Sequence, residues 1–65
     1  MVIDGTKLEI AMAKARKTGK DIMNETGISP VTVSRARNGK NISPIIAGII
    51  ADALKIDLED IVKEV

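Results

Sequence analysis

Apolar positions along this chain recur at three- and four-residue intervals, the spacing that lines one face of a helix. Leu8, Ala11, Met12 and Ala15 form the first such stripe. It predicts a helix over about residues 6–17, opened by Thr6 and Glu9 at capping-box spacing. A second helix is expected over 19–26. Thr18 and Asp21 again have capping-box spacing, Ile22 and Met23 turn inward, and Gly27 supplies a left-handed stop. The third, over 30–37, has both ends marked. Ser29 is its N-cap and Pro30 takes the first helical position, where a missing N–H is harmless. Ile28 and Val33 fit a hydrophobic staple, Val33 and Ala36 make a thin inner seam, and Asn38-Gly39 tolerates a left-handed exit. After Lys40-Asn41-Ile42, Ser43 and Pro44 start a fourth helix over 44–54 that is apolar nearly all round. Its core face is expected at Ala47, Ile50, Ala51 and Leu54. A fifth, over 58–63, is capped by Asp57 with Asp60 at the third position. Leu58, Ile61, Val62 and Val65 would pack back on the fourth helix or across a dimer. Five helices with short connections predict one compact all-α domain spanning 1–65.

The faces left outside the core differ sharply. On the third helix, Val31, Ser34, Arg35 and Arg37 point away from the seam, and no acidic residue occurs there. A short helix with a cationic, hydroxyl-bearing outer face suits a nucleic-acid groove. It follows the second helix across Gly27-Ile28-Ser29, and helix, short Gly-containing turn, capped helix is the helix-turn-helix arrangement. Purely structural bundles also contain such pairs. On the fourth helix the leftover residues are Ile45, Ile46 and Ile49. Either they are covered by a neighbouring segment or, with Leu58 and Val62, they form an interface between copies.

Charge adds direction. The net charge is only +1. Yet Lys14 to Lys40 carries seven bases against two acids, whereas Asn41 to Val65 carries two bases against five acids. A basic middle and an acidic tail suit a polyanion on one face. Lys14, Arg16 and Lys17 also complement the first helix's dipole, which is the alternative reading of those bases. Gly19 would let a phosphate come close to the backbone. Lys17, Thr18, Gly19 and Lys20 are therefore expected beside a phosphate backbone. Asp57, Glu59 and Asp60 lack the ligand pattern of a calcium loop and read as helix-start acids, so no metal is expected. With no Cys and no His in the chain, disulfides, the usual zinc sites and His- or Cys-based triads are excluded. No Phe, Tyr or Trp is present to stack bases, which disfavours a single-strand binder. No cofactor, membrane association or enzymatic activity is expected. A start without signal-peptide features and the absence of any membrane-length apolar run point to a cytoplasmic protein. The Met1 start and the acidic finish favour a complete chain over a fragment.

Read in register, the chain resembles the phage repressor and Cro-type helix-turn-helix family. The likeness is carried by Lys7-Leu8, Ala11-Met12-Ala13, Thr18 to Met23, Gly27 to Arg35, Asn38-Gly39 and Ala51 to Ile61. It covers roughly residues 7 to 62. The run Gly-Ile-Ser-x-x-Thr-Val-Ser-Arg followed by Asn-Gly is its most specific part. The resemblance implies a lambda-repressor-like DNA-binding fold and sequence-specific binding of double-stranded DNA, usually as a homodimer on a pseudo-palindromic operator. By position it implies that Pro30, Val31, Ser34 and Arg35 face base edges. Ser29 and Thr32 would sit at the phosphates or groove edge, and Asn38 and Lys40 would hold phosphates. Gly19 stands where family members typically carry a phosphate-bonding Gln, Arg37 where Glu is frequent, and Lys17 where a core Leu is common.

These readings converge on a small transcriptional regulator, most often a repressor. The alternative is a protein-interaction module, such as the antitoxin subunit of a toxin–antitoxin pair. A toxin or a protein anti-repressor would then be its partner.

Overall fold

Four helices and one short 3-10 turn account for the regular structure in a computed structural model that describes residues 1–63. Helix α1 spans Gly5–Ala15, α2 Gly19–Thr26, α3 Pro30–Arg37 and α4 Pro44–Ala53, and the 3-10 turn covers Leu58–Asp60. No helix of the described residues is long and apolar enough to cross a membrane.

Three helix starts follow their sequence signals. Ser29 accepts from the Thr32 backbone N–H and Ser43 from that of Ile46. Thr18 and Asp21 close a reciprocal capping box. The start of α1 does not follow its signal. Its cap is Asp4, whose carboxylate accepts from the N–H groups of Thr6 and Lys7 at 3.0 and 3.1 Å. Thr6 is therefore inside the helix, and Glu9 pairs with Arg37 rather than closing a capping box. The helix also stops earlier than expected, with Arg16 in the left-handed region at φ 56°. Gly27 and Gly39 take left-handed conformations at φ 77° and 72°, whereas Asn38 stays at φ −95°.

The core draws on every helix: Leu8 and Met12 from α1, Ile22 from α2, Val33 and Ala36 from α3, and Ala47, Ile50 and Ala51 from α4. Ile28 seals the turn between α2 and α3. Among the described residues, no buried side-chain polar atom lacks a hydrogen-bond partner. Gly5 brings α1 against the end of α3, because a Cβ there would lie 2.7 Å from the Arg37 carbonyl oxygen.

The chain's two ends pair. Val2 bridges Asn41 and Ile3 bridges Val62, both antiparallel. The Lys63 N–H donates to the Val2 carbonyl and the Asp4 N–H to that of Ile61, at 2.9 and 2.8 Å. This pairing buries Ile3 completely. It also replaces the expected fifth helix: the segment turns only through Leu58–Asp60 before Val62 enters its bridge. Ile61 is fully buried and Leu58 and Val62 are half-buried, while Val65 lies outside the described residues.

Candidate nucleic-acid interface

The candidate interface is built from the α2–α3 pair. The reciprocal capping box fixes where α2 begins: the Thr18 N–H donates to Asp21 Oδ2 at 2.8 Å, and the Asp21 N–H donates to Thr18 Oγ1 at 3.1 Å. The Thr18 hydroxyl also donates to Asp21 Oδ2 at 3.0 Å, and the bonds the carboxylate accepts, first from the Thr18 backbone N–H and then from its hydroxyl, hold the Asp21 carboxyl below its ordinary value, with smaller contributions from Lys17 and Lys20. The turn is closed from within. Thr26 Oγ1 donates to the Ile22 carbonyl and accepts from the Ile28 N–H, which satisfies the backbone where α2 stops. Left-handed Gly27 then redirects the chain into Ser29 and α3.

Only Val33 and Ala36 of α3 are buried. Pro30, Val31, Ser34 and Arg35 are all exposed, Val31 at 69 %. All four expected base-facing residues thus stand on the solvent side of one short helix. Ser29 and Thr32 share a hydroxyl–hydroxyl hydrogen bond of 2.9 Å at its start. Asn38 Nδ2 donates to Ser34 Oγ at its end. Arg35 donates one hydrogen bond from Nη2 to the Asn41 carbonyl at 2.9 Å, which leaves the other donors of its guanidinium fork unused by that contact. Lys20 and Lys40 are exposed and form no ion pair among the described residues.

A groove runs between the start of α2 and α3. It brings together Thr18, Gly19, Lys20, Pro30, Ser34 and Asn38, six of the residues singled out from the sequence. Lys17 is not among them. Its ammonium reaches the far end of α2, donating to Glu25 Oε1 at 2.7 Å and to the Ala53 carbonyl at 2.8 Å. There it ties α2 to the last turn of α4, where a cation complements the helix dipole. The Lys17 side chain is thus partly buried rather than turned toward the groove.

Gly19 differs as well. It is buried, with Arg37 Nη1 only 3.3 Å from where its Cβ would stand. Arg37 also pairs through Nη2 with Glu9 Oε1 at 2.8 Å. Arg37 was expected on the cationic outer face of α3 but without an assigned base or phosphate contact, and Glu9 was expected only in a capping box. Helical spacing held the clue, since Arg37 falls seven residues after Pro30 and three after Ser34, along the same edge of α3. That Glu9 lies opposite depends on the packing of α1.

A family model for the Cro/C1-type helix-turn-helix DNA-binding domain matches residues 7–64. The chain belongs to this family. Neither a curated protein nor a solved structure gives a match. A Cro/C1-type domain is a DNA-binding module of transcription regulators, and the all-helical architecture found here agrees with it. In this Cro/C1-type domain the second helix of the motif is α3, the one whose outer face carries no acid.

Proposed function

We propose that this Cro/C1-type domain is a repressor that binds a pseudo-palindromic operator as a homodimer, with α3 of each copy in a major groove. The observation that carries this reading is the division of α3. Two small residues hold it in the core, and its outer face is left to Pro30, Val31, Ser34 and Arg35, with Arg37 exposed at its end. Arg35 is suited to a guanine edge, Ser34 to a base of either kind, and Val31 to a thymine methyl. Thr18, Lys20, Ser29, Thr32, Asn38 and Lys40 ring that face with donors suited to phosphates, which set register and supply affinity without choosing sequence.

Self-association is supported by α4. Ile45 is 76 % exposed and Ile49 is 38 % exposed, on the helix side away from Ala47 and Ile50, with Ile46 half-buried beside them. Leu58 and Val62 contribute less, being half-buried within the domain. Covering Ile45 and Ile49 with a second copy would remove apolar surface from water. It would also support a domain small enough to be marginal alone.

Selection of bound sequences from a random duplex pool tests the reading. The expected product is a two-fold symmetric site with half-site centres about one DNA turn, roughly 34 Å, apart. An asymmetric single site would remove the homodimer. A monomer in sedimentation that retains no duplex would instead favour the antitoxin-type reading, with Ile45 and Ile49 meeting a different protein.

A further inference from the structure

We propose that Arg37 is a DNA-backbone contact held in reserve by Glu9, and that binding exchanges the Glu9 carboxylate for a phosphate. The inference rests on the DNA-binding reading above and adds a residue and a mechanism to it. Three observations place Arg37 for this role. Its side chain lines the same groove as Thr18, Lys20 and Ser34. Its guanidinium packs over Gly19, where an added Cβ would stand 3.3 Å from Nη1 and crowd it. Its ion pair with Glu9 joins side chains that are 44 % and 61 % exposed, so both remain in contact with water.

An exposed ion pair is weak, commonly worth about 1 kcal/mol or less. A phosphate arriving in the groove offers the same guanidinium two oxygens and releases a counterion from the DNA. The exchange therefore favours the phosphate. Glu9 does two things in the unbound domain. It pre-orients the guanidinium over the start of α2, and it screens a cation that would otherwise draw any polyanion.

Salt-dependent titrations of the full chain on the selected duplex test this, with thermal unfolding of each variant as a control. Arg37→Gln is expected to weaken binding about three- to tenfold on every sequence and to lower the salt slope by about one. Arg37→Lys keeps the charge and is expected to keep the slope. Glu9→Gln is expected to strengthen binding about two- to fivefold with an unchanged slope. In an Arg37→Gln background most of that gain should vanish, because Glu9 then has nothing to release. An unaltered slope in Arg37→Gln, or a Glu9→Gln gain that persists in full in the double variant, overturns the proposal while leaving the DNA-binding reading intact. Failure of the unaltered chain to bind any duplex in a salt-sensitive way overturns both. Should Arg37→Gln melt below the working temperature, Arg37→Lys and Glu9→Gln decide the matter. Loss of slope in the former or loss of affinity in the latter is the contrary result.

Discussion

Helices α3 and α4 begin alike. Each is introduced by a serine at φ −68° whose hydroxyl accepts from the third backbone N–H, and each puts proline at its first position. From there they diverge. α3 buries a single thin seam and offers solvent hydroxyls, an amide and guanidinium groups. α4 buries Ala47, Ile50 and Ala51 and offers solvent isoleucines. The starting device fixes where a helix begins and says nothing about its use. The outer face decides that, and these two faces are suited to different partners: the polar one to a charged duplex, the apolar one to another protein surface.

Substitutions that separate start, core and outer face can break or sharpen this comparison. The largest effect is expected in the core face of α4. Ile50 is 1 % exposed, so Ile50→Ala should cost about 2–5 kcal/mol of stability in chemical denaturation, and DNA binding should fall with the fold. A loss below 1 kcal/mol would mean that α4 does not anchor the core. Next come the outer faces. Arg35→Ala should cost about 1–3 kcal/mol on the selected site, relax discrimination at one base position and leave the melting temperature nearly unchanged. Its α4 counterpart, Ile45→Lys, should spare base preference and raise the concentration needed for self-association in sedimentation. If Arg35→Ala keeps full selectivity, or Ile45→Lys dimerises as before, the division of labour between the helices is wrong.

The caps come third. Ser29→Ala and Ser43→Ala should each cost about 1 kcal/mol, and by similar amounts, because the two caps share one geometry. A large difference between them in paired melts would show that tertiary packing, rather than the cap, holds one of the starts. The smallest effect is the acid limb of stability set by α2. The bonds from Thr18 depress the Asp21 carboxyl in the folded state. Its contribution is therefore fully present above the unfolded-state value of about 3.9 and is lost as pH falls through the lower folded value. Stability should decline below about pH 4, and Asp21→Asn should flatten that decline in melts across pH. An unchanged acid limb would show that the capping box does not control it.

Much of this fold was legible residue by residue. Periodicity placed Ala47, Ile50, Ala51 and Leu54 on the core face of α4, and all four are buried. The seam of α3, the glycine exit of α2 and the two Ser-Pro starts also agree with the structure. Each of these depends on neighbours within a turn or two, so the local pattern was enough. Expectations failed where a distant segment competes for the same backbone groups or side chain. Asp4, not Thr6, caps α1, because the pairing of residues 2 and 3 with 41 and 62 fixes how the chain enters that helix. The last segment is a 3-10 turn because the Lys63 N–H bonds to Val2 across the molecule. At the candidate interface, which residues of α3 face solvent was legible from its pattern. The role of Lys17 was not, since Glu25 and the Ala53 carbonyl that hold it come from two other helices.

The sequence by itself determined the four helices, the N-caps of α2, α3 and α4, the α2–turn–α3 unit and the acid-free outer face of α3, since short-range hydrogen bonding, helical period and side-chain chemistry settle these without distant contacts. Only the tertiary structure decided that the two chain ends pair, that Lys17 turns inward, and that Arg37 meets Glu9 above Gly19. Those outcomes depend on which helices pack together and how closely. That is a property of the filled core, which no short window of residues contains.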